Sequence, residues 1–152
     1  MSTAPVDGHL ARLAGEGERL AWRGDMLVKA AASETRGAFT LIDTTNPPDA
    51  GPPLHLHRDV DEAFYVLEGD YEFTCGPQQT QGGPGSFVLL PRGVPHRYRS
   101  GAQGGRLLIL FTPGGTEKYF RERAEAMSDP GATSATMSAI ADRHGIELLG
   151  PY

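Results

Sequence analysis

Short apolar segments alternate with turn segments rich in glycine and proline along most of the chain. The apolar segments are enriched in β-branched and aromatic residues, which favour strands over helices. They recur at intervals of roughly ten residues, a spacing typical of an all-β sandwich or barrel. The predicted strand segments are MLVKAAA from Met26, AFTLIDTT from Ala38, EAFYVLEG from Glu62, YEFTC from Tyr71, SFVLLP from Ser86, HRYRS from His96 and RLLILFT from Arg106.

Helical periodicity appears only near the C-terminus. TEKYFRERAEAM from Thr116 and SATMSAIADRHG from Ser134 contain good helix formers, and the second segment ends at Gly145. The chain is therefore predicted to have an N-terminal arm (1–19), a β-barrel (20–112) and a helical tail (113–152) that packs on the barrel. Phe73, Phe87, Leu110 and Phe111 are predicted to be core residues.

Composition narrows the class of protein. A chain of 152 residues has room for one domain with a hydrophobic core. Its 14 Lys and Arg against 19 Asp and Glu leave a net charge of −5, with no basic run, so nucleic acid is not an expected partner. No apolar stretch is long enough to span a membrane, and no signal peptide is evident. With the single Cys75, these features predict a cytoplasmic protein that binds no membrane.

Three histidines and a glutamate form the candidate site. His55 and His57 are two residues apart, so a strand projects both from one face. Glu62 begins the next strand segment, and His96 follows a turn that contains Pro91, Gly93 and Pro95. Imidazoles with one carboxylate suit Fe, Mn, Co, Ni, Cu or Zn, whereas calcium and magnesium prefer oxygen ligands. Four such ligands leave coordination positions open, which points to chemistry more than to a structural site.

The spacing of these residues resembles the two motifs of the cupins. The first motif is matched by His55, His57, Glu62 and Gly69, and the second by Gly85, Pro91, Gly93 and His96. Two positions differ, because Gly51 lies closer to the histidines than usual and Ser100 replaces a frequent asparagine. The resemblance implies an antiparallel double-stranded β-helix, a jelly-roll barrel in which His55, His57, Glu62 and His96 hold one divalent transition metal ion. It also implies a homodimer.

The whole layout is similar to bacterial quercetin 2,3-dioxygenase-like cupins. That resemblance implies a metal-dependent dioxygenase that acts on a small phenolic or enolisable substrate with dioxygen, with Glu62 as the catalytic proton acceptor. Strand parity directs Phe64, Tyr98 and Ser100 into the barrel, where they are predicted to line the substrate pocket. Two alternatives stay open: an isomerase or polyketide cyclase that uses the ion as a Lewis acid, and a metal-binding cupin that binds a small ligand without catalysis.

Overall fold

A computed structural model describes residues 7–150. Two α-helices, one turn of 3-10 helix (Ala32–Glu34) and nine strands make up the described chain. The strands are β1 (Glu18–Ala21), β2 (Asp25–Ala30), β3 (Thr40–Asn46), β4 (His55–His57), β5 (Asp61–Cys75), β6 (Gln78–Gly82), β7 (Phe87–Leu90), β8 (His96–Thr112) and β9 (Ile146–Leu148), and the helices are α1 (Glu117–Met127) and α2 (Ser134–Arg143).

All strand pairs are antiparallel within the described residues. The sheet runs in the order β1-β2-β3-β8-β4-β9, and β5 joins it by pairing with β6, β7 and β8. The two long strands β5 and β8 pair along most of their length, with register shifts between Val66 and Glu68 and between Gly69 and Tyr71. Such irregularities bend and twist a strand pair, which allows long strands to curve around a core. The predicted all-β fold with a short helical tail is confirmed.

The core follows the strand alternation. Every second residue of β5 and β8 points inward, so the interior contains a continuous cluster of aromatic and aliphatic side chains. Phe73 and Phe111 are buried as predicted, and Leu110 is half-buried. The prediction for Phe87 is wrong: its side chain is 65% exposed. It pairs with the exposed Tyr65 on the outer face of the sheet, so its side chain points away from the core.

The tail contains an element that was not predicted. Two helices form where expected, and then residues Ile146–Leu148 return to the barrel as β9 and pair with β4. The polar strand β6, with the sequence QQTQG, was also not predicted, and it pairs with β5. Residues 1–6 of the predicted arm and 151–152 of the tail lie outside the described residues. Among residues 7–150, no helix is both long and apolar enough to cross a membrane.

Candidate metal centre

The four predicted ligands meet inside the barrel. His55, His57, Glu62 and His96 are all buried, with exposures of 8%, 4%, 4% and 1%. One atom from each forms a group whose members lie within 4.8 Å of one another. Oε2 of Glu62 is 2.9 Å from Nε2 of His96, 3.2 Å from Nε2 of His57 and 4.0 Å from Nε2 of His55. Residues from three separate strands therefore share one small polar pocket.

Strand pairing accounts for this convergence. His55 and His57 point to the same side of β4, and His55 is the direct partner of His96 on β8. Glu62 opens β5, next to Phe111 of β8 and Leu90 of β7. The ligand positions thus follow from the register of neighbouring strands.

The turn before His96 is tied to both other ligand strands. Gly93 donates its backbone N–H to the carbonyl of His57 at 2.7 Å. Its φ of 76° lies in the left-handed region that glycine adopts without strain. Arg92 donates its backbone N–H to Asp61, the residue before Glu62, at 2.9 Å. These bonds set the direction in which the chain enters β8 and therefore position His96.

Backbone carbonyls orient two of the imidazoles. Nδ1 of His55 is 2.7 Å from the Pro53 carbonyl, and Nδ1 of His96 is 2.9 Å from the Val94 carbonyl. A carbonyl can only accept, so Nδ1 carries a proton in both rings. In a neutral ring Nε2 is then left with its lone pair, whereas in the cationic form of His96 Nε2 carries a second proton that it donates to Glu62. A carbonyl that holds the outer ring nitrogen in this way is a common support for a metal-binding histidine.

Burial and proximity shift the ionisation of the site. Burial lowers the pKa of His55 to about 4, so this ring is neutral at physiological pH. Burial also disfavours the charged forms of His96 and Glu62, but the contacts between them outweigh it. As a result the pKa of His96 lies above its ordinary value, and hydrogen bonds from His57 and His96 hold the pKa of Glu62 below its ordinary value. Glu62 is therefore a carboxylate at neutral pH.

This donor set fits a divalent transition metal ion. Two ligand atoms that each lie about 2.1 Å from one ion are about 3.0–4.2 Å apart, depending on the coordination angle. The distances of 2.9, 3.2 and 4.0 Å from Glu62 to the three imidazoles are close to that range. Three nitrogen ligands and one oxygen ligand match the preference of first-row transition metals rather than that of calcium or magnesium. The residues would hold the ion through the three Nε2 atoms and the Glu62 carboxylate.

An apolar cavity opens from the ligands. The space inside it that water-sized molecules can occupy is about 30 Å³, and the cavity is partly open to solvent. Besides His55, His57 and Glu62, its walls are formed by Trp22, Met26, Pro52, Pro53, Tyr98, Ile109, Tyr119, Phe120, Ile146 and Leu148. Few polar groups face this space, so a bound ion and its ligands would lie in a poorly solvated environment.

The three predicted pocket residues have different positions. Tyr98 lines the cavity, and burial raises the pKa of its hydroxyl to about 12. Phe64 does not line it but packs in the core against Phe73 and Tyr98, with ring centroids 5.3 Å apart in each pair. Ser100 does not line it either, since its hydroxyl donates to the carbonyl of Pro47 at 2.6 Å and accepts from the N–H of Ala50 at 2.9 Å. It fastens the loop that precedes β4.

Most of the outer wall was missed by sequence reasoning. Trp22 lies in the turn between β1 and β2, and its ring contacts Phe120 of α1 edge-to-face with centroids 5.1 Å apart. The guanidinium of Arg123 lies over the same indole at 4.3 Å. Ile146 and Leu148 come from the unpredicted strand β9. The sequence shows that the tail has an apolar face, but it does not specify which part of the barrel that face packs against.

Comparison with known proteins agrees with the fold. The Cupin domain family matches residues 43–121. Quercetin 2,3-dioxygenase of Bacillus subtilis is 33% identical over 109 residues, which are 70% of this chain and 32% of that protein. An uncharacterized protein of Streptomyces coelicolor is 36% identical over 53 residues, 35% of this chain and 50% of that one. The chain therefore spans about a third and about a half of these two relatives.

Solved structures share the barrel at low identity. KdgF from Halomonas sp. has a TM-score of 0.62 at 16% identity and covers 70% of this chain and 94% of its own. An RmlC-like cupin from Shewanella frigidimarina has a TM-score of 0.61 at 17% identity, with 70% and 93% covered. Streptomyces Pac13, solved with uridine, has a TM-score of 0.59 at 15% identity, with 72% and 86% covered. At these identities the likeness shows the fold alone.

Proposed function

The chain belongs to the cupin domain family, and on that premise we propose that it is a metal-dependent dioxygenase of the quercetin 2,3-dioxygenase-like kind. Its substrate would be a small phenolic or enolisable molecule. One observation supports this most: three imidazoles and one carboxylate converge within reach of one ion, beside a cavity with mostly apolar walls. The 33% identity to the Bacillus subtilis dioxygenase over 70% of the chain supports dioxygenase activity as the reaction class.

The chemistry of the ion follows from its type. A bound divalent transition metal would act as a Lewis acid and, for a redox-active ion, would allow dioxygen to react with an electron-rich substrate. The residues present supply the remaining parts. The apolar wall, which includes Ile109 and Phe120, would exclude water and orient an aromatic or enolic substrate. Ionised Glu62 would accept the proton of the substrate hydroxyl, because it is the carboxylate at the base of the cavity.

The test compares turnover with and without oxygen. Protein reconstituted separately with Fe(II), Mn(II), Co(II) and Ni(II) is mixed with quercetin, and oxygen consumption is followed with an electrode alongside loss of the flavonol absorbance. The proposal expects turnover in air that stops under nitrogen. Glu62→Gln should retain the fold and lose at least about a hundredfold in turnover, in the range of a general base. His9→Ala, which changes an exposed histidine outside the site, is the matched control. Turnover that continues without oxygen would contradict the dioxygenase assignment.

A non-oxidative reaction is the second candidate. The same four side chains can hold an ion that only polarises a carbonyl, as an isomerase or polyketide cyclase would require. Pac13, which has a similar fold, is described as a nucleoside dehydratase, so this fold also occurs in a protein with a non-oxidative activity. Substrate conversion under nitrogen by the metal-loaded protein, abolished by His96→Ala, would favour this second reading. A third reading, ligand binding without catalysis, predicts metal and ligand binding with no conversion in either atmosphere.

The remaining expectations about partners and location stay predictions. A homodimer would be identified by size-exclusion chromatography with light scattering. The cytoplasmic location and the expected absence of nucleic-acid and membrane partners are not tested by the fold. They can be examined by fractionation of the cells that make the protein.

A further inference from the structure

The cavity beside the metal ligands has little free room. Water-sized molecules can occupy about 30 Å³ of it. This is enough for about two or three waters, because each needs roughly 10–15 Å³ of such space. Even a single phenol ring is larger than that. A phenolic or enolic substrate therefore cannot reach the ligands unless part of the wall moves.

Strand β9 supplies the wall next to two of the ligands. Where it pairs with β4, Ile146 is opposite His57 and Leu148 is opposite His55. Directly opposed residues of antiparallel strands project to the same face of the sheet, so both apolar side chains lie beside the imidazoles. Both also line the cavity. Separation of β9 from β4 would thus open the cavity at the ligands themselves.

A single short ladder attaches β9 to the barrel. Among the described strands it pairs with β4 alone, over three residue pairs. Two more backbone hydrogen bonds extend the ladder, from Leu149 to the carbonyl of Leu54 and from Arg58 to the carbonyl of Gly145, both at 2.8 Å. Gly145 lies between α2 and β9 with a φ of 73°. A glycine adopts many backbone conformations without strain, so β9 can turn there while α2 stays in place.

The other elements of the wall are anchored by buried groups. The carboxylate of Glu117, at the start of α1, accepts from the backbone N–H of Ala32 at 2.9 Å and from the hydroxyl of Thr40 at 2.5 Å. Trp22, which packs against Phe120 of α1, lies between the paired strands β1 and β2. Moving α1 would leave a buried carboxylate without its donors, which is more costly than opening backbone hydrogen bonds at a sheet edge. Strand β9 is therefore the part of the wall that is easiest to displace.

We propose that β9 (Ile146–Leu148) is a gate. Its side chains Ile146 and Leu148 fill the space beside His57 and His55, and a ligand larger than a few waters reaches the metal ligands only after β9 has separated from β4. Smaller ligands fit without this movement. The inference rests on the proposed function for the ion and the organic ligand, but the movement itself can be measured without either.

The first measurement compares two thiols in the cavity wall. In a Cys75→Ser background, Ile146→Cys and Ile109→Cys replace residues of β9 and β8 that are 3% and 2% exposed. Labelling by a thiol reagent, relative to the rate for the same variant in denaturant, reports how often each position becomes accessible. The Ile146→Cys protein should be labelled at least about tenfold faster than the Ile109→Cys protein. Equal rates overturn the proposal.

Hydrogen exchange in the unmodified protein gives a second answer that does not depend on how the variants fold. The amide of Leu149, which is bonded to Leu54, should be protected at least about tenfold less than the amide of Phe120 in α1, which is bonded to Thr116. Equal protection of the two amides would mean that β9 does not open separately from α1, and it overturns the proposal.

A cross-strand disulfide tests the link to ligand access. Leu56 and Glu147 are directly opposed, and their side chains point away from the cavity. Hydrogen-bonded partners in antiparallel strands are about 5.5 Å apart at Cα, which a disulfide can span. Leu56→Cys/Glu147→Cys, in the Cys75→Ser background, is loaded with Co(II) and mixed with benzohydroxamate, and binding is followed by the visible absorbance of the ion. Oxidation should slow binding at least about tenfold, whereas the smaller azide should bind both forms alike.

Thr74→Cys/Gln79→Cys is the matched control, because these opposed residues of β5 and β6 do not line the cavity and their disulfide should not change binding. Equal rates of benzohydroxamate binding by the oxidised and reduced gate variant overturn the proposal. If Co(II) does not bind, the proposed function fails while thiol labelling and hydrogen exchange still test the gate. If Co(II) binds and oxidation has no effect, only the gate is wrong.

Discussion

The base and the cap of the cavity are built in different ways. The base consists of His55, His57, Glu62 and His96, which neighbouring strands and backbone carbonyls hold in place. The cap consists of apolar side chains from the turn after β1, from α1 and from β9. The base therefore determines which ion and which chemistry the site can support. The cap determines how much water enters and which molecules fit.

The two regions also differ in how they tolerate change. A metal site needs particular donor atoms at particular positions, so the loss of one ligand removes the function while the hydrophobic core remains. An apolar wall needs shape and volume, so a substitution there costs packing energy in proportion to the cavity it leaves. Changes to the base should thus affect metal binding far more than stability, and changes to the cap should do the reverse.

The largest effect is expected from His96→Ala. This ring is the most buried of the four ligands and the shortest contact of Glu62, at 2.9 Å. Its loss should lower metal affinity at least about a hundredfold, more than loss of an outer-shell partner does. Elemental analysis of wild type, His96→Ala and the control His9→Ala should show about one ion per chain in the first and third only. A fully loaded His96→Ala protein would mean that the base does not bind the ion as described.

A substitution in the cap should give the opposite result. Phe120 is 8% exposed and contacts Trp22, Phe111 and Tyr119. Phe120→Ala should lower the free energy of unfolding by about 3–5 kcal/mol because it leaves a large cavity. Denaturant unfolding measures this loss, and metal content should stay near that of the wild type. Loss of the metal with unchanged stability would show that base and cap are not separate in function.

Metal binding should depend on pH because protons compete with the ion for the four ligand side chains. The pKa of His96 is raised above its ordinary value by Glu62, whereas that of His55 is lowered to about 4 by burial. The metal requires neutral rings, so protons compete for His96 but not for His55 between pH 5 and pH 7. Apparent affinity should rise with pH, by roughly tenfold per unit for one displaced proton, until the pKa of His96 is passed, and then level off. Calorimetric titration with Co(II) checks this, and affinity that does not change with pH would contradict it.

The smallest effect is expected at the latch between β4 and the tail. Arg58 donates to the Asp142 carbonyl at 2.8 Å and to the Asp142 carboxylate at 3.1 Å, and its own backbone N–H donates to Gly145 at 2.8 Å. Arg58→Ala should lower stability by about 1 kcal/mol or less, since the side chain is partly exposed. Hydrogen exchange should become faster at residues 146–148 while the base stays protected.

Arg99→Ala is the matched control for the latch. Its pair with Asp49 is 3.9 Å long, and both side chains are more than half exposed, at 62% and 61%. Its removal should not change exchange in the tail measurably. Equal effects of the two substitutions would show that Arg58 does not fasten the cap.

Local pattern and the resemblance to the two cupin motifs together identified the residues of the base. Two residues of separation in a strand bring His55 and His57 to one face, and the glycine and proline spacing around Pro91 and Gly93 indicates the turn that delivers His96. Phe73 and Phe111 were also predicted to be core residues, and both are buried. These features depend on the period of the strand and on the backbone geometry of turns, which are properties of a few consecutive residues.

Local pattern was insufficient wherever a residue's neighbours are distant in the chain. Phe64, Tyr98 and Ser100 share the inward parity, but whether each lines the cavity depends on what fills the barrel around it. Phe87 is as apolar as a core residue but is exposed, because it lies opposite Tyr65 on the outer face of the sheet. Strand β6 is polar and short, so it forms only because β5 provides its hydrogen bonds.

The sequence by itself predicted the strand alternation and the two tail helices from short-range geometry, and it predicted the four residues of the base from their match to the two cupin motifs. Only the tertiary structure decided how strand register brings those four residues together and what forms the cap. Ile146–Leu148 is too short to be recognised as a strand until β4, about ninety residues earlier, pairs with it. Trp22 meets Phe120 only through the packing of separate elements. Such contacts depend on the three-dimensional arrangement of the whole chain, which no local period encodes.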